Sequence, residues 1–318
     1  MKKRILFEVI KKLTPKTETR FTSEFVQYFD QQANDLIYNN LHSSPQNGLM
    51  ISKFGFVELH SLCSFLSIIQ GVNIKKYKEA LHGGRDIYPE VCLKALCHNA
   101  GFFPNNINLA YEWKDMVLSD LTSIDILGSY LEEEKYLKTE LSQCIKVNLN
   151  GYYAPYLWEN PWTKVLKGKK VLVIHPFVDS IRCQYEKRAY LFSNPDVLPE
   201  FSNLYLIKAV QSIAGTKTEY KDWFEALSYM ENEMDKLDYE IAIIGCGAYG
   251  MNLAAHAKKQ GKIAIHMAGW TQMLFGIYGK RWIQDQPEFS KYINDYWIRP
   301  TESERPANAN SIEGACYW

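Results

Sequence analysis

A glycine-rich turn, Gly245-Cys-Gly247-Ala-Tyr249-Gly250, follows an apolar run that ends at Ile244 and precedes a helical pattern. In this context a G-x-G-x-x-G motif can bind phosphate, because glycines admit a close ligand and the helix N-terminus offers free N–H groups. A nicotinamide-binding enzyme would carry an acid at the end of the next strand. That strand ends at His266 and Met267, which weakens an NAD reading. A tight strand-to-helix turn alone would need the same glycines.

His175 ends another apolar run and is followed by Asp179, Ser180 and Arg182 at the start of a helical pattern. A histidine there could act as a general base or bind a diphosphate, and an arginine could pair with phosphate oxygens. His266 ends a neighbouring run in the same way. A purely structural histidine, whose ring nitrogens are hydrogen-bonded within the protein, would fit both patterns as well.

The segment 269–282 combines glycines with Gln272, Lys280, Arg281 and Trp282. Glycine-rich backbone beside two cations suits a phosphate-bearing ligand, and tryptophan faces can stack on a base or a sugar ring. A tightly packed helix and loop is the alternative. The segment that begins at Gly269 is therefore a second candidate for substrate binding.

Glu58 is the carboxylate that stands out in the first half of the chain. It falls in the first helical turn after the strand-like run 48–55, which ends at Gly55. At that position a glutamate could serve as a base or as a metal ligand, although the helix dipole alone also favours an acid there.

The elements that position these residues are strands alternating with helices. Near-continuous apolar runs at 48–55, 171–177, 204–210, 240–245 and 262–267 alternate with helical patterns, and a further strand is possible at 124–127. Such alternation predicts an α/β fold with a parallel, Rossmann-like sheet covered by helices on both faces. In such sheets ligands bind beyond the carboxyl ends of the strands, where the candidate residues lie.

Three segments follow from this pattern: a basic helical extension at 1–44, a first α/β half at 45–165, and a Rossmann-like half at 166–318. The chain has 36 basic and 36 acidic residues, but residues 1–20 carry seven basic and two acidic side chains, a net charge of +5. Ile5, Leu6, Val9, Ile10 and Leu13 recur there at helical spacing. Residues 1–20 could therefore contact an anionic membrane surface, or pack as a helix on their own domain.

Composition excludes several classes of protein. Zero net charge argues against a dedicated nucleic-acid binder. We find no apolar run near the ~20 residues that span a bilayer, and seven scattered cysteines without a C-x-x-C pair suit a reducing cytoplasm. A zinc site at Cys92, Cys97 and His98 lacks a second ligand pair.

Two segments resemble motifs of the bacterial glycosyltransferases with the GT-D fold. Ile51-Ser-Lys-Phe-Gly55-Phe-Val-Glu58 resembles their R-[FY]-G-D-G-E segment, and Ile243-Ile-Gly-Cys-Gly-Ala-Tyr249 is similar to their late glycine-rich turn. The family's D-x-E motif would fall on residues 56–58, so that Glu58 matches and Phe56 replaces the aspartate. A Mg²⁺ or Mn²⁺ cofactor would therefore have Glu58 as its one motif ligand.

The resemblance implies transfer of a sugar from a nucleotide-sugar donor to a glycan or lipid-linked acceptor, in the cytoplasm or at the inner membrane face, for surface polysaccharide synthesis. Glu58 or His175 would activate the acceptor hydroxyl. Arg182, Lys280 and the amides of the glycine-rich turn would stabilise the departing nucleoside diphosphate. Two alternatives stay open: an NAD(P)-dependent oxidoreductase acting on a sugar or sugar nucleotide, and a non-catalytic nucleotide-binding partner.

Overall fold

The computed structural model describes residues 2–13, 21–43, 46–69, 89–312 and 314–318. Its centre is a seven-stranded sheet in which every pair of neighbouring strands is parallel. This confirms the predicted α/β fold. The strands are β1 Leu49–Lys53, β2 Ile126–Gly128, β3 Ile145–Val147, β4 Lys170–His175, β5 Asn203–Lys208, β6 Ile241–Ile244 and β7 Ile263–His266.

The strands are ordered β3-β2-β1-β7-β6-β4-β5 across the sheet. Strand β1, from the first half of the chain, pairs with β7 from the second half, with Leu49 opposite Ile263. Residues 45–165 supply three strands and residues 166–318 supply four, so both segments build one sheet.

Eleven α-helices lie within the described residues. They are α1 Lys2–Leu13, α2 Asp30–His42, α3 Phe56–Ile69, α4 Pro89–Ala100, α5 Ile107–Leu121, α6 Leu149–Tyr153, α7 Val178–Glu186, α8 Arg188–Leu191, α9 Trp223–Asp235, α10 Gly250–Lys259 and α11 Thr271–Leu274. None of these helices is long and apolar enough to cross a membrane.

Helices cover both faces of the sheet, and the strands alternate between two cores. We call one side of the sheet the first face. There, Leu172 and Ile174 of β4 belong to the same core as helices α3, α4, α5, α9 and α10. On the second face, Val171 and Val173 belong to the core that includes α2, α6, α7 and α11. Burial on both sides explains why these strands read as continuous apolar runs.

Neighbouring strands lead to opposite faces of the sheet. Strands β1 and β6 are followed by α3 and α10 on the first face, whereas β4 and β7 are followed by α7 and α11 on the second. Because β1 lies beside β7 and β6 beside β4, the chain diverges after each of these strands. Such divergence opens a crevice at the carboxyl ends of the strands.

Candidate functional site

A cavity of about 870 Å³ lies along the carboxyl edge of the sheet. Residues at or just beyond the end of all seven strands line it, which is where the fold places its crevice. In sheet order these residues are Asn148, Ser129, Lys53, Ala268, Gly245, His175 and Ala209. Of the residues singled out in the sequence, nine line the cavity: Gly55, Glu58, His175, Gly245, Gly247, Tyr249, Gly269, Gln272 and Arg281.

Lys53, Glu58 and Arg281 form a charged group in this cavity. Burial lowers the pKa of the Lys53 ammonium from 10.5 to about 8, while the Glu58 carboxylate raises it and the Arg281 guanidinium lowers it further. Two cations therefore lie within electrostatic range of each other beside one carboxylate. Sequence reasoning missed Lys53, although a charged residue at the end of an otherwise apolar strand was a usable signal.

The Glu58 carboxylate is folded back over the backbone of Gly55. A β-carbon added to Gly55 would lie 2.0 Å from Glu58 Oε2 and 2.7 Å from Oε1. A side chain at this position would have to displace the carboxylate, so the glycine after β1 is what admits the carboxylate to the end of the strand. The Glu58 carboxylate is therefore packed directly on Gly55.

Tyr130 lies against the charged group. Its hydroxyl donates a hydrogen bond to the carbonyl of Phe54 at 2.8 Å, and Lys53 Nζ lies 5.2 Å from the centre of its ring. The ring of Phe21 stacks on the outer side, with 5.9 Å between centroids. Burial, and then the nearby Glu58 carboxylate, raise the pKa of Tyr130, so its hydroxyl stays protonated.

Arg281 is held in the cavity wall by Tyr317. Its Nη1 donates to the Tyr317 hydroxyl at 2.9 Å, and the guanidinium lies 4.4 Å from the centre of the tyrosine ring. Gln272 Nε2 donates to the Tyr317 carbonyl at 3.2 Å. The same ring packs on Gly269, where a β-carbon would lie 2.4 Å from it. Tyr317 and Trp318 therefore form part of the cavity wall.

The glycine-rich turn faces the cavity with Gly245, Gly247 and Tyr249. Gly247 has a φ of +58°, and a β-carbon there would lie 2.7 Å from the carbonyl oxygen of Ala100. Only glycine suits that conformation and that approach. Gly250 begins helix α10 and packs on the ring of His266 instead of facing the cavity.

His175 lines the cavity as a neutral ring. Burial lowers its pKa to about 3. The backbone N–H of Phe177 donates to His175 Nδ1 at 3.0 Å, so in the neutral ring the proton is assigned to Nε2. This geometry favours a hydrogen-bond donor at Nε2 over a general base.

Asp179, Ser180 and Arg182 lie outside the cavity lining. Glu304 occupies the N-terminus of helix α7: its Oε1 accepts from the backbone N–H groups of Asp179 and Ser180 at 2.8 and 3.2 Å, and its Oε2 from the Ser180 hydroxyl. The anion at this helix terminus is thus a buried carboxylate of the protein itself. Arg182 is exposed one turn further on.

His266, Lys280 and Trp282 also lie outside the main lining. His266 is buried beneath the cavity, with Nδ1 3.1 Å from Ser52 Oγ. Lys280 Nζ donates to the Gly314 carbonyl at 3.1 Å. Trp282 is fully buried and packs edge-on against Trp270, so its ring is part of the core.

An aromatic and polar wall closes the end of the cavity near β3. The rings of Tyr153 and Trp270 are stacked with 3.8 Å between centroids and 10° between planes. Asn150, Asp285 and Gln286 line the cavity beside them. Trp270 lies within the candidate segment 269–282, whereas the other four residues were not singled out in the sequence, because they come from two separate segments.

Among the described residues, those around Glu58 fit a divalent cation poorly. Mg²⁺ and Mn²⁺ prefer several oxygen ligands. The charged groups near Glu58 are instead the Lys53 ammonium, whose pKa Glu58 raises, and the Arg281 guanidinium, which lowers the same pKa. Throughout the described part of the chain, we find no group of three His, Cys, Asp or Glu side chains that could hold a metal ion. Phe56, at the position of the expected aspartate, is partly exposed at the rim of the cavity.

Fold and site together define a Rossmann-like α/β protein with a large cavity at the carboxyl edge of its sheet. Comparison of the chain with protein-family models, with curated proteins and with solved structures found no match.

Proposed function

We propose that the cavity binds a nucleotide sugar and that the protein is a glycosyltransferase, as the resemblance of its two motifs implies. The observation that carries this proposal is the charged group: one carboxylate, Glu58, beside two cations, Lys53 and Arg281, in a cavity that the glycine-rich turn also lines. A base for the acceptor hydroxyl and positive charge for the departing diphosphate both favour sugar transfer.

The diphosphate would lie between the two cations and the glycine-rich turn. Charged N–H donors bind phosphate oxygens strongly, and Arg281 is already oriented by Tyr317. Gly245 and Gly247 line the cavity on the side of this turn. Lys53 and Arg281 thus take the role that the sequence suggested for Arg182 and Lys280.

Glu58 would act as the general base. Its carboxylate takes the proton of the acceptor hydroxyl while the acceptor oxygen forms a bond to the anomeric carbon of the donor sugar. The bond from that carbon to the diphosphate oxygen breaks, and the electron pair leaves with the nucleoside diphosphate. Lys53 and Arg281 stabilise the negative charge that develops there. His175 would donate a hydrogen bond from Nε2 to the bound donor.

The wall of Tyr153 and Trp270 supports a sugar as the group bound at the β3 end. Sugar rings present apolar C–H faces to aromatic rings, and their hydroxyl groups pair with amides and carboxylates such as Asn150, Asp285 and Gln286. The acceptor glycan would therefore bind at this end.

The proposal is tested by incubating the protein with a panel of nucleotide sugars and simple glycan acceptors, and measuring transfer and donor hydrolysis. We expect turnover of at least one donor, and a loss of about 10²- to 10⁴-fold in Glu58→Gln with nucleoside diphosphate binding retained. Glu200→Gln, which changes an exposed carboxylate outside the cavity lining, is the control.

Three outcomes would contradict the proposal. Binding without turnover in the parent protein would favour a non-catalytic nucleotide-binding partner. Stabilisation by NAD(P) and not by nucleoside diphosphates would favour an oxidoreductase. Full turnover in Glu58→Gln would remove Glu58 from its role as base.

The same proposal includes contact between helix α1 and the inner face of a membrane, where a lipid-linked acceptor would be found. Ile5 and Leu13 are 62% and 79% exposed, and Val9 between them is also exposed. Five basic residues share this helix with one acid, which suits a helix that lies on anionic lipid.

Sedimentation with vesicles that contain phosphatidylglycerol tests this contact. We expect the parent protein to sediment with the vesicles and the double variant Ile5→Asp, Val9→Asp to stay in solution. Ile283→Asp, which places one aspartate at another exposed apolar residue, should behave like the parent. Equal sedimentation of the double variant would contradict the contact.

A further inference from the structure

A second, much smaller cavity lies beneath the charged group. Its volume is about 20 Å³, and Lys53, Gly55, Glu58 and Gly247 line both this cavity and the large one. These four residues are therefore the partition between them. One water molecule needs roughly 10–15 Å³ of such space, so the small cavity has room for a single water and for little else.

Three buried polar atoms belong to residues that line this small cavity. They are Trp113 Nε1, Asn252 Oδ1 and His266 Nε2, and none of them has a hydrogen-bond partner among the described residues. Each of the three residues is less than 5% exposed. A buried polar group without a partner costs about 1–3 kcal/mol, so three around one void point to a molecule between them.

The hydrogen-bonding role of each atom is set by its neighbours. Asn252 Nδ2 donates to Asp120 Oδ2 at 2.8 Å, which leaves Asn252 Oδ1 as an acceptor toward the cavity. Trp113 Nε1 can only donate. The Ser52 hydroxyl lies 3.1 Å from His266 Nδ1 and forms no other hydrogen bond in the described chain. The hydroxyl proton is paired only if it is donated to Nδ1, and we assign the ring proton to Nε2 on that ground.

We propose that the small cavity holds one water molecule that accepts hydrogen bonds from Trp113 and His266 and donates to Asn252 and the Glu58 carboxylate. Water suits a site with two N–H donors and two oxygen acceptors, because it accepts two bonds and donates two. The two N–H groups would repel a cation, and Asn252 Oδ1 would repel an anion. The site gives Glu58 a hydrogen bond from below, whichever ligand the large cavity binds.

A crystal structure of the full chain at about 1.5 Å resolution tests the proposal without any variant. We expect one ordered water about 2.7–3.2 Å from Trp113 Nε1, Asn252 Oδ1 and His266 Nε2. A long-range ¹H–¹⁵N NMR spectrum should show His266 protonated on Nε2. An empty cavity in the electron density, or a ring protonated on Nδ1 alone, would overturn the proposal.

The exchange of the water gives a second test. Magnetic relaxation dispersion of water nuclei should lose one long-lived water in Trp113→Phe, because the variant lacks the N–H donor. Trp223→Phe is the matched control, since Trp223 Nε1 is also buried without a partner but Trp223 lines neither cavity. An unchanged dispersion in Trp113→Phe, or an equal loss in Trp223→Phe, would contradict the site.

Discussion

Glu58 Oε2 and the α-carbon of Gly55 are so close that a β-carbon on the glycine would be 2.0 Å from the carboxylate oxygen. Gly55→Ala must therefore displace Glu58 without altering its chemistry. We expect turnover of the donor sugar to fall about 10²-fold or more, close to the loss in Glu58→Gln. Steady-state kinetics of the two variants side by side measures this.

Gly168→Ala is the control for that comparison. Gly168 has a φ of +70° and no atom near the position of an added β-carbon, so alanine there strains the backbone outside the cavity lining. We expect a modest loss of stability and full activity. Activity of Gly55→Ala equal to that of Gly168→Ala would contradict the pairing of Gly55 with Glu58.

Lys53 should make ligand binding depend on pH in the alkaline range. Its ammonium has a pKa of about 8 because of burial, and then of the nearby Arg281, so the charge is lost as pH rises above 8. A hydrogen bond to a charged group contributes about 1.5–3 kcal/mol, and the charged fraction of Lys53 falls to a few per cent at pH 9.5, so nucleoside diphosphate affinity should fall roughly 10- to 25-fold between pH 7 and 9.5. Calorimetric titration across this range measures the effect.

Lys53→Arg should keep its affinity to the highest pH, because arginine stays charged. Lys53→Met should bind weakly at every pH. A parent protein with the same affinity at pH 7 and 9.5 would remove Lys53 from the phosphate site.

The buried histidines should destabilise the fold in acid. His175 and His266 have pKa values of about 3, lowered from 6.5 by burial and, for His266, also by Lys53. Their contribution to stability is complete above about pH 6.5 and is lost as pH falls toward 3. Each should cost about 1.4 kcal/mol per pH unit in that window, because the unfolded chain binds the proton first.

Denaturant unfolding at pH 7, 6, 5 and 4 tests this dependence. His266→Gln and His175→Gln should each reduce the pH dependence of the unfolding free energy by about 1.4 kcal/mol per pH unit below pH 6. A variant with the parent's slope would show that its histidine is protonated in the folded protein.

Glu304 should stabilise the fold without taking part in catalysis. It accepts hydrogen bonds from Asp179, Ser180 and Thr301 while buried, so Glu304→Gln leaves donors poorly paired. We expect a loss of about 2–3 kcal/mol in the free energy of unfolding. Glu302→Gln, an exposed neighbour in the same short helix, should change it by less than about 0.5 kcal/mol. Equal effects of the two variants would contradict this role.

The sheet could be predicted because burial on both faces makes β4, β6 and β7 continuous apolar runs. Strand β3 could not, because Ile145–Val147 is three residues long with a lysine at its centre, a pattern with no clear period. The helical pattern that starts near Asp179 forms two helices, because Lys187 separates α7 from α8.

The candidate site could be predicted where its residues directly follow the ends of strands. Gly55, Glu58, His175 and Gly245 follow strands directly, so the fold class alone brings them to one edge. Glu304 could not be anticipated, since it reaches the N-terminus of α7 from 124 positions along the chain. The pairing of Arg281 with Tyr317 depends on the path of the terminal segment, which has little regular pattern.

Calorimetric titration of the parent protein with nucleoside diphosphates, nucleotide sugars and NAD(P) tests the central claim most directly. We predict saturable binding of at least one nucleotide sugar and its nucleoside diphosphate, weakened at least 10-fold in Arg281→Ala because one phosphate partner is lost. No binding by any nucleoside diphosphate or nucleotide sugar, or binding of NAD(P) alone, would contradict the account.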